Sequence, residues 1–437
     1  MYAPRIPRQV TLRHLFRLVR RPIPVFTELL DRYGDNFIQE VGGSRTTHFT
    51  RDAEVARHVL QRNHRNYEKS EIQTGQMGKY LGLGLLTNSG DDWLRQRRLI
   101  QPGFHRQRLA ALTAEMQRVI EEECARAANS GPVDLFSFTR QVAFRIIVRA
   151  LFTDGFGEED TRRLHEILDK LQAYIIYPIR LPFLRGPLRW IGQEQRHLAL
   201  ATESRQLISR HIRHRQQGTR VPAKDDLLQM LLDTRYEDTG EGMDERQLID
   251  EILILFAAGY ETSANALAWT IWLLLKHPNE LARLRDTPDP TYLTQVIEES
   301  MRLYPPAWIT DRVALGPDEA AGFTLDPGVT IGIFIHGIHH SPRYYDAPEE
   351  FRPARMHPDL KKERHPFSFI PFGGGPRQCI GSHFAMLEMQ LLLGHLLEHF
   401  DVESVGKLPD PQPKPFVTLH QDRPVPITIS PRKGKSI

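Results

Sequence analysis

The amino-acid sequence predicts a mainly α-helical (α+β) protein with a small, mostly antiparallel β portion made from both ends of the chain. Most of the chain between the two predicted β regions spaces its apolar residues with the period of a helix. Those β regions, 36–50 and 322–335, place turn residues between strand-forming ones. The 437 residues, 40% hydrophobic and 25% charged, have the composition of a globular protein. We therefore expect one intertwined domain over residues 1–437.

Each element has a local signal. The first β region predicts a hairpin that turns at Gly42-Gly43, and the second predicts a hairpin that turns at Asp326-Pro327-Gly328. Helices are predicted for HRQRLAALTAEMQRVIEEECARAAN, DERQLIDEILILFAAGYETSANALAWTIWLLLKH and TYLTQVIEESMRLY. The second of these is apolar on nearly every side, which indicates a helix through the centre of the protein. The charged segment 209–226 predicts a surface linker.

Charge and cysteine content exclude several classes of protein. A net charge of +3 does not by itself indicate nucleic-acid binding. Two cysteines, Cys124 and Cys379, supply neither a disulfide framework nor a zinc-type set of ligands. The longest apolar run, Thr262–Leu275, is shorter than the ~20 residues that span a bilayer, and residues 1–26 have no apolar core of signal-peptide length. We expect a cytoplasmic monomer without a membrane anchor.

The most informative stretch is FSFIPFGGGPRQCIGSHFAMLEMQ, residues 367–390. Its three glycines permit backbone angles and close approaches that a side chain forbids, as a flat, bulky cofactor would require. Cys379 follows Arg377 and precedes an amphipathic helical pattern, and both neighbours favour a thiolate. The residues alone leave two interpretations open: a cofactor-binding cysteine, or a glycine-rich turn with an incidental cysteine.

The segment FGGGPRQCIG resembles the haem-binding signature of the cytochromes P-450. The matching positions are Phe372, Gly373, Gly375, Arg377, Cys379 and Gly381. The resemblance covers nearly the whole chain. It implies a large helical lobe and a smaller antiparallel β lobe around a buried haem b (iron protoporphyrin IX), with the Cys379 thiolate as the protein ligand to iron.

The segment AAGYETS lies in the middle of the apolar helix and matches the family's AGxxT pattern at Ala258, Gly259 and Thr262. The resemblance implies that the helix distorts near Gly259 to leave room for dioxygen. It also implies that the Thr262 hydroxyl bonds to dioxygen or a water, and that Glu261 helps to supply protons. A charged residue in such a helix is costly unless it serves a purpose. By itself the threonine could equally be bonded back to its own helix.

The segment EESMR places Glu299 and Arg302 three residues apart, on one face of a helix that ends at Pro305-Pro306. The family has this pair and a second arginine downstream, which FRPARM supplies as Arg355. The resemblance implies a buried ion network with a structural role and no part in catalysis.

A third matching segment, DDWLRQRR, places Trp93 and Arg97 four residues apart on one helix face. The resemblance implies that both bind the haem propionates, together with Arg312 and Arg377. Two buried carboxylates need several cationic partners, so this number of donors is reasonable. Arg95 and Arg98 of the same segment are expected to point outward.

The resemblance also implies a substrate pocket lined from several segments. Its expected residues are Met77, Tyr80, Leu81, Tyr174, Ile175, Ala258, Trp308, Ile309 and Phe416. This aromatic and aliphatic lining favours an apolar or amphipathic small molecule. Two other motifs are not expected to carry function. GLGLLTNSG lacks the third glycine of a nucleotide loop, and the histidines of HGIHHSP lack acidic or thiol partners at metal-ligand spacing.

The expected activity is that of a monooxygenase that inserts one atom of dioxygen into a C–H bond, by hydroxylation or O-demethylation. No flavin or iron–sulfur segment is present in the chain, so electrons are expected from a separate ferredoxin and ferredoxin reductase. The cations proposed to dock the ferredoxin are Arg95, Arg98, Arg106, Arg108, Lys361 and Lys362. Two alternatives stay open, a peroxide-driven or isomerising haem-thiolate enzyme and a haem-binding sensor without turnover.

Overall fold

The computed structural model describes residues 1–41, 45–153, 156–217 and 226–432. Within these ranges the side chains of Val41, Arg45, residues 106–108 and Pro182 are not described. The chain forms two compact units, each assembled from segments that are far apart in the sequence. Unit 1 comprises residues 1–70, 269–379 and 410–423, and unit 2 comprises residues 71–268, 380–409 and 424–437. The expectation of one domain stays a prediction.

Helices dominate the described residues, as the sequence predicts. In chain order they are α1 Arg8–Arg20, α2 Pro22–Tyr33, α3 Ala53–Arg57, α4 Gly78–Leu81, α5 Gly90–Ile100, α6 Arg106–Ala128, α7 Leu135–Phe152, α8 Glu158–Arg180, α9 Arg185–Trp190, α10 Gln193–Gln217, α11 Leu227–Asp233, α12 Glu245–Lys276, α13 Pro278–Asp286, α14 Pro290–Leu303, α15 Ile335–His339, α16 Pro358–Glu363 and α17 Ser382–His399. Two π-helical segments, His58–Arg62 and Ile72–Met77, and short 3₁₀ turns connect some of them.

The strands are short and mostly antiparallel. They are β1 Asn36–Val41, β2 Arg45–Thr50, β3 Tyr67–Glu68, β4 Val133–Asp134, β5 Thr310–Ala314, β6 Asp318–Ala320, β7 Phe323–Leu325, β8 Thr330–Ile333, β9 Phe400–Ser404, β10 Pro413–Pro415, β11 Leu419–Gln421 and β12 Pro426–Pro431. Unit 1 contains a sheet in the order β1-β2-β8-β5-β3 and the pairs β6-β7 and β10-β11, whereas unit 2 contains the sheet β4-β12-β9. One neighbouring pair, β2 with β8, is parallel.

The first hairpin forms as predicted, with β1 antiparallel to β2, although its Gly42-Gly43 turn lies outside the described residues. The prediction of a second hairpin over 322–335 is wrong, because β7 and β8 do not pair with each other. Strand β7 pairs with β6 across Ala321-Gly322, both of which have positive φ angles, as a tight two-residue hairpin turn requires. Strand β8 pairs with β5 and β2 instead.

The predicted linker over 209–226 is also wrong in its first half, because α10 continues through residue 217. Leu207, Ile208 and Ile212 are buried along one side of this helix, while the charged residues occupy the rest of its surface. A few apolar residues at helical spacing are enough to hold a charged helix on the core. Residues 218–225 lie outside the described part of the chain.

Candidate functional site

The centre of helix α12 has one opening in an otherwise buried surface. Every residue from Leu248 to Ala268 is buried except Ala258, Gly259 and Thr262, which are partly exposed. These three residues lie at positions i, i+1 and i+4 and therefore share one face of the helix. The predicted AGxxT positions are thus the partly accessible positions of this otherwise buried stretch of α12.

Helix α12 is continuous from Glu245 to Lys276 across this opening, and the distortion expected near Gly259 stays a prediction. The Thr262 hydroxyl donates to the carbonyl oxygen of Ala258, one turn earlier, at 2.8 Å. A hydroxyl bonded in this way is held in one rotamer while its oxygen can still accept a further hydrogen bond. Glu261, beside it, is buried.

A polar network between α8 and α12 supports the same turn, and sequence reasoning missed it. The Tyr260 hydroxyl lies 2.8 Å from Gln172 Oε1 and 3.0 Å from Asp169 Oδ1. The Gln172 side-chain amide donates to the carbonyl of Ala257 at 3.1 Å. Burial holds the pKa of Tyr260 well above its usual range, so this phenol stays protonated and can act as a donor. The network fixes α8 against the turn that carries Glu261 and Thr262.

The predicted pocket residues of unit 2 come together in one apolar cluster. Tyr80, Leu81, Tyr174 and Ile175 are buried there, and Met77 packs against them. The rings of Tyr80 and Tyr174 meet edge to face at 5.7 Å, an arrangement that aromatic pairs prefer. Ala257, next to Ala258, belongs to the same cluster, so these side chains adjoin the turn of α12 that carries the opening.

The other predicted pocket residues lie in unit 1. Trp308 is buried in a second apolar cluster, and Ile309 packs against that cluster. The Trp308 indole N–H donates to the carbonyl of Phe416 at 3.1 Å, which joins two segments more than one hundred residues apart. The Phe416 ring itself is partly exposed and meets His420 edge to face at 5.1 Å.

A separate cleft of about 990 Å³ in unit 2 is lined largely by charged and polar side chains. Its lining includes Lys79, Arg205, Arg213 and Asp250, and none of the predicted pocket residues lines it. Arg205 is paired with Asp250 across it. Charged walls of this kind do not suit an apolar ligand.

The cysteine loop depends on close backbone packing at Gly375. This glycine has a φ angle of +67°, and a Cβ atom placed on it would lie 1.8 Å from the carbonyl oxygen of Leu60. The amide of Gln378 bonds to the carbonyl of Gly375, and the Cys379 amide then donates to the carbonyl of Phe372 at 2.9 Å. Cys379 is an exposed cysteine outside any disulfide and comes just before Gly381, the N-cap of α17. The glycine-rich turn therefore presents the thiol at the surface of unit 1.

Three basic side chains of unit 1, Lys69, Arg312 and Arg377, are close enough for their charges to interact. Arg312, on β5, is buried and donates to the carbonyl of Asp311 at 2.6 Å. Burial and the positive charges of Arg312 and Arg377 hold the pKa of Lys69 well below its usual range. Burial and the charge of Arg312 lower the pKa of Arg377 to about 10. The sequence predicted Arg312 and Arg377 as neighbours but missed Lys69. The cluster places three basic side chains in a partly desolvated region, where a neighbouring carboxylate would favour their charged forms.

The predicted donors of helix α5 lie in unit 2. Trp93 is buried, and the Arg97 Nε atom donates to Gln101 at 3.2 Å. Arg95 and Arg98 are exposed, as predicted. Arg95 forms an ion pair with Asp238 at 3.0 Å and lies over the ring of Tyr236.

The other cations expected to dock a ferredoxin are partly engaged within the protein. Lys361 pairs with Glu298 at 2.7 Å, and Lys362 pairs with Asp359 at 3.0 Å. The side chains of Arg106 and Arg108 are outside the described part of the structure.

Glu299 and Arg302 are fully buried and form a bidentate pair with bonds of 2.8 and 2.9 Å. The remaining Arg302 donors reach the carbonyls of His339, Pro348 and Glu350, so all five N–H groups have acceptors. Arg355 Nε lies 2.9 Å from Glu299 Oε1. The pairing expected from the three-residue spacing is present, with a role in holding several loops of unit 1.

The glycines of GLGLLTNSG let the loop that follows α4 approach helix α12 closely. The backbone amides of Leu83 and Leu85 donate to the carboxylates of Asp250 and Glu251, at 2.9 and 3.1 Å. A Cβ atom on Gly82 would lie 2.3 Å from the Asp250 carboxyl group. The motif therefore has a packing role within unit 2.

His336 and His339 of HGIHHSP are buried and His340 is partly buried, and the rings of His336 and His340 stack with their centroids 3.9 Å apart. His339 Nε2 accepts a bond from the backbone amide of Ile370 at 2.9 Å. Across the residues that the structure describes, no cluster of histidine, cysteine and acidic side chains could hold a metal ion.

A buried acid on helix α17 was not foreseen. Glu388 is almost fully buried in unit 2, and burial raises its pKa to about 8, against a smaller opposing effect of Ser263. Ser263 follows Thr262 on α12. Glu388 therefore stays protonated at neutral pH and adds a second titratable carboxyl group to the turn of α12 that carries the opening. The only sequence signal was an acid surrounded by apolar residues in the first half of this helix pattern.

Among the described residues, no helix is long and apolar enough to cross a membrane. Residues 4–427 match the sequence profile of the family described as Cytochrome P450. The chain is 30% identical to the cyclooctat-9-en-7-ol 5-monooxygenase of Streptomyces melanosporofaciens, over 90% of this chain and 88% of that protein. It is 29% identical to the pentalenene oxygenase of Streptomyces avermitilis, over 96% of this chain and 95% of that protein.

Solved structures show the same fold. The crystal structure of the cytochrome P450DA heme domain superposes with a TM-score of 0.87, at 21% sequence identity, over 99% of this chain and 98% of that one. The family profile spans almost the whole chain, and the relatives align over nearly their full lengths. The chain belongs to the cytochrome P450 family and is a monooxygenase that uses haem iron.

Proposed function

We propose that this monooxygenase binds haem b through the Cys379 thiolate and inserts one atom of dioxygen into a C–H bond of an apolar terpenoid. The observation that carries the proposal is the combination, within unit 1, of an exposed thiol on a glycine-rich turn with the cation cluster of Lys69, Arg312 and Arg377. A thiolate is the iron ligand that promotes O–O bond cleavage. The cations suit the two carboxylates of protoporphyrin IX.

The residues present fit this cofactor. Cys379 supplies a soft sulfur ligand, and Arg312 and Arg377 supply guanidinium donors for carboxylates, with Lys69 as a third cation. The assignment of Trp93 and Arg97 of α5 as propionate donors stays a prediction from the resemblance. When bound, the haem supplies the oxidising chemistry, and the protein supplies positioning and proton transfer.

The α12 residues handle protons in this proposal. The Thr262 hydroxyl, held by the Ala258 carbonyl, offers its oxygen as an acceptor at the opening of the helix. By rotating about χ1 it can instead donate its proton into that opening. Glu261 is the adjacent carboxyl group that restores the proton. Acid–base groups at such positions contribute about 10²–10⁴-fold to a rate.

The substrate is proposed to lie against the Tyr80 and Tyr174 cluster of unit 2, with Ala258 on the helix side. This lining is mostly apolar and offers few polar anchors, which favours a hydrocarbon-like molecule. The roles of Trp308, Ile309 and Phe416 of unit 1 stay predictions from the sequence. Two relatives are named for oxidising pentalenene and cyclooctat-9-en-7-ol, an alkene and an alkenol by their names. Electrons are proposed to come from a separate ferredoxin and its reductase. Of the docking cations named, Arg95, Arg98 and Lys362 are exposed, and Arg95 and Lys362 form ion pairs within the protein.

The test compares Cys379→Ser with Cys124→Ala, which alters the other cysteine. Both variants and the parent are expressed with haem precursor and examined as reduced carbonyl complexes. We expect the red-shifted Soret band of a thiolate-ligated haem in the parent and in Cys124→Ala, and its loss in Cys379→Ser. A band that persists without the Cys379 thiol would contradict the proposed ligand.

Activity is tested with a panel of terpene hydrocarbons and terpene alcohols. Ligands that shift the iron from low to high spin are then supplied with a ferredoxin, its reductase and NADH. We expect oxygenated product that requires the whole electron-transfer chain. Turnover that hydrogen peroxide alone supports at the same rate would favour the peroxide-driven alternative. Spin-state shifts without any product would favour a sensor.

A further inference from the structure

Helix α1, Arg8–Arg20, has two apolar faces, and the structure uses one of them for packing. Val10 and Leu18 pack against the apolar cluster of unit 1, and His14 is buried between them. The His14 ring bonds to the carbonyl of Val10 at 2.8 Å and to Glu28 of helix α2 at 3.2 Å. These contacts fix the helix to its own unit along one side.

The second apolar face is exposed. Leu12 is 69% exposed, Leu15 47% and Phe16 66%, and Val19 is partly exposed. These residues lie at positions i, i+3, i+4 and i+7 and form a continuous strip on the face away from His14. We call these four residues the outer strip.

The charges of α1 all have the same sign. The helix contains Arg8, Arg13, Arg17 and Arg20 and no acidic residue. Arg17 is engaged with Glu28 at 2.9 Å, whereas the Arg20 guanidinium lies over the Phe16 ring at 4.2 Å, directly beside the outer strip. An exposed apolar strip with arginines at its edges complements a surface that is negatively charged outside and apolar beneath.

We propose that the outer strip of α1 is a peripheral membrane-binding surface that recognises anionic phospholipid. The helix would lie in the plane of the interface, with Leu12, Leu15 and Phe16 among the acyl chains and Arg13 and Arg20 at the headgroups, since Arg8 and Arg17 pair with Glu40 and Glu28. It does not span the bilayer, because its 13 residues are too few.

The geometry favours a lipid surface over a protein groove. A groove that binds an amphipathic helix encloses much of its circumference, and the inner side of α1 is already covered by its own unit. What remains is a shallow convex strip, which a deformable lipid interface can match. A membrane would also hold apolar molecules of the kind proposed as substrates, although the binding of α1 to lipid does not depend on that proposal.

The experiment is co-sedimentation of the full-length holoprotein with vesicles of phosphatidylcholine alone and of phosphatidylcholine with 30% phosphatidylglycerol. The strip variant is Leu12→Ser/Phe16→Ser. The matched control is Leu315→Ser/Leu360→Ser, which removes two other exposed leucines of unit 1. Circular dichroism and the reduced carbonyl spectrum show whether each variant is folded with its cofactor, independently of membrane binding and of turnover.

We expect the parent and the control to bind the anionic vesicles, to bind neutral vesicles at least tenfold more weakly, and to be released by salt. The strip variant should lose at least tenfold in apparent affinity. Arg13→Gln/Arg20→Gln should weaken binding to the anionic vesicles about twentyfold or more, since each cation near such a surface contributes about fivefold.

Three results would overturn the proposal: no binding to either vesicle, equal binding to both, or undiminished binding by the strip variant. A fourth would assign the strip to a protein partner, namely a parent that forms dimers in sedimentation velocity and a strip variant that is monomeric, with no vesicle binding by either. Because the readout is lipid binding, a failure of the proposed terpenoid oxidation leaves this test intact.

Discussion

The buried Glu299 network permits a sharp prediction about stability. Glu299→Gln removes the negative charge that lies between two guanidinium groups. In the parent, Glu299 Oε1 accepts from Arg302 at 2.9 Å and from the backbone amide of Arg352 at 3.0 Å, and it lies 2.9 Å from Arg355 Nε. Oε2 accepts from the Arg302 Nε atom at 2.8 Å. A glutamine can keep the Oε1 contacts, but its NH₂ group then faces the Arg302 Nε–H, donor against donor.

The expected loss in the free energy of unfolding follows from the burial of this ion pair. Glu299 and Arg302 are fully inaccessible to solvent, and removing one partner of such a pair costs ~3–5 kcal/mol, because the other charge stays buried without compensation. The matched control is the neighbouring residue. Glu298→Gln breaks a pair with Lys361 in which the side chains are 15% and 34% exposed, and partly exposed pairs contribute only ~0–1 kcal/mol.

The assay is urea unfolding followed by far-ultraviolet circular dichroism, with all proteins at the same pH and haem occupancy. We expect the free energy of unfolding to fall by ~3–5 kcal/mol for Glu299→Gln and by less than ~1 kcal/mol for Glu298→Gln. If the two substitutions had equal effects, burial would not be what makes the Glu299 charge important. The reasoning would also fail if the Glu299→Gln protein were as stable as the parent.

Three further predictions concern the cysteine loop, the buried acid and the α12 opening. Gly375→Ala should lower the free energy of unfolding by several kcal/mol and weaken haem retention, because its Cβ atom would overlap the Leu60 carbonyl. The control Gly373→Ala has the same sign of φ but open space around it, so it should lower the free energy of unfolding by only ~1–2 kcal/mol. Equal melting temperatures for the two variants would contradict this reasoning. Glu388 has a pKa raised from 4.5 to about 8 in the folded protein, so its favourable contribution is complete below pH 4.5 and is lost as the pH rises through 8. Relative to the parent, Glu388→Gln should therefore gain up to ~4 kcal/mol between pH 5 and pH 8, and a pH-independent difference in urea midpoints would refute the burial argument. Thr262→Val keeps the side-chain volume but removes the hydroxyl, so product formed per NADH should fall about tenfold or more while the substrate-induced spin shift is retained; unchanged coupling would exclude Thr262 from proton transfer.

Sequence patterns correctly predicted the features that depend mainly on residues close together in the chain. The apolar run of the central helix was predicted over 244–277 and is helical over Glu245–Lys276, because a segment that is apolar on all sides has few alternatives to burial as a helix. The Glu299–Arg302 pair followed from a three-residue spacing, which places two side chains on one helix face in any helix. The glycine requirement at Gly375 was evident from composition, although its partner, Leu60, was not.

The predictions that failed were those decided by competition between distant segments. The strand-forming residues 323–333 were recognised, but β7 pairs with β6 across a tight turn at Ala321-Gly322, and β8 pairs with β5 and β2. The charged stretch of α10 is helical because Ile208 and Ile212 are buried on the core. Neither the pairing of β8 nor the helical continuation of α10 can be predicted from the residues of the segment itself.

Residue types at short, fixed spacings were enough to identify the family, the cysteine loop and the order of the main helices. Only the folded structure shows which side chains that are far apart in the sequence lie close together in space. Lys69 joins Arg312 and Arg377 across more than two hundred residues, Gln172 fixes the turn before Thr262, and Glu388 is neutralised by burial. These effects escape a linear pattern because charge interactions and desolvation depend on distance and surroundings in space, and separation along the chain does not encode either quantity.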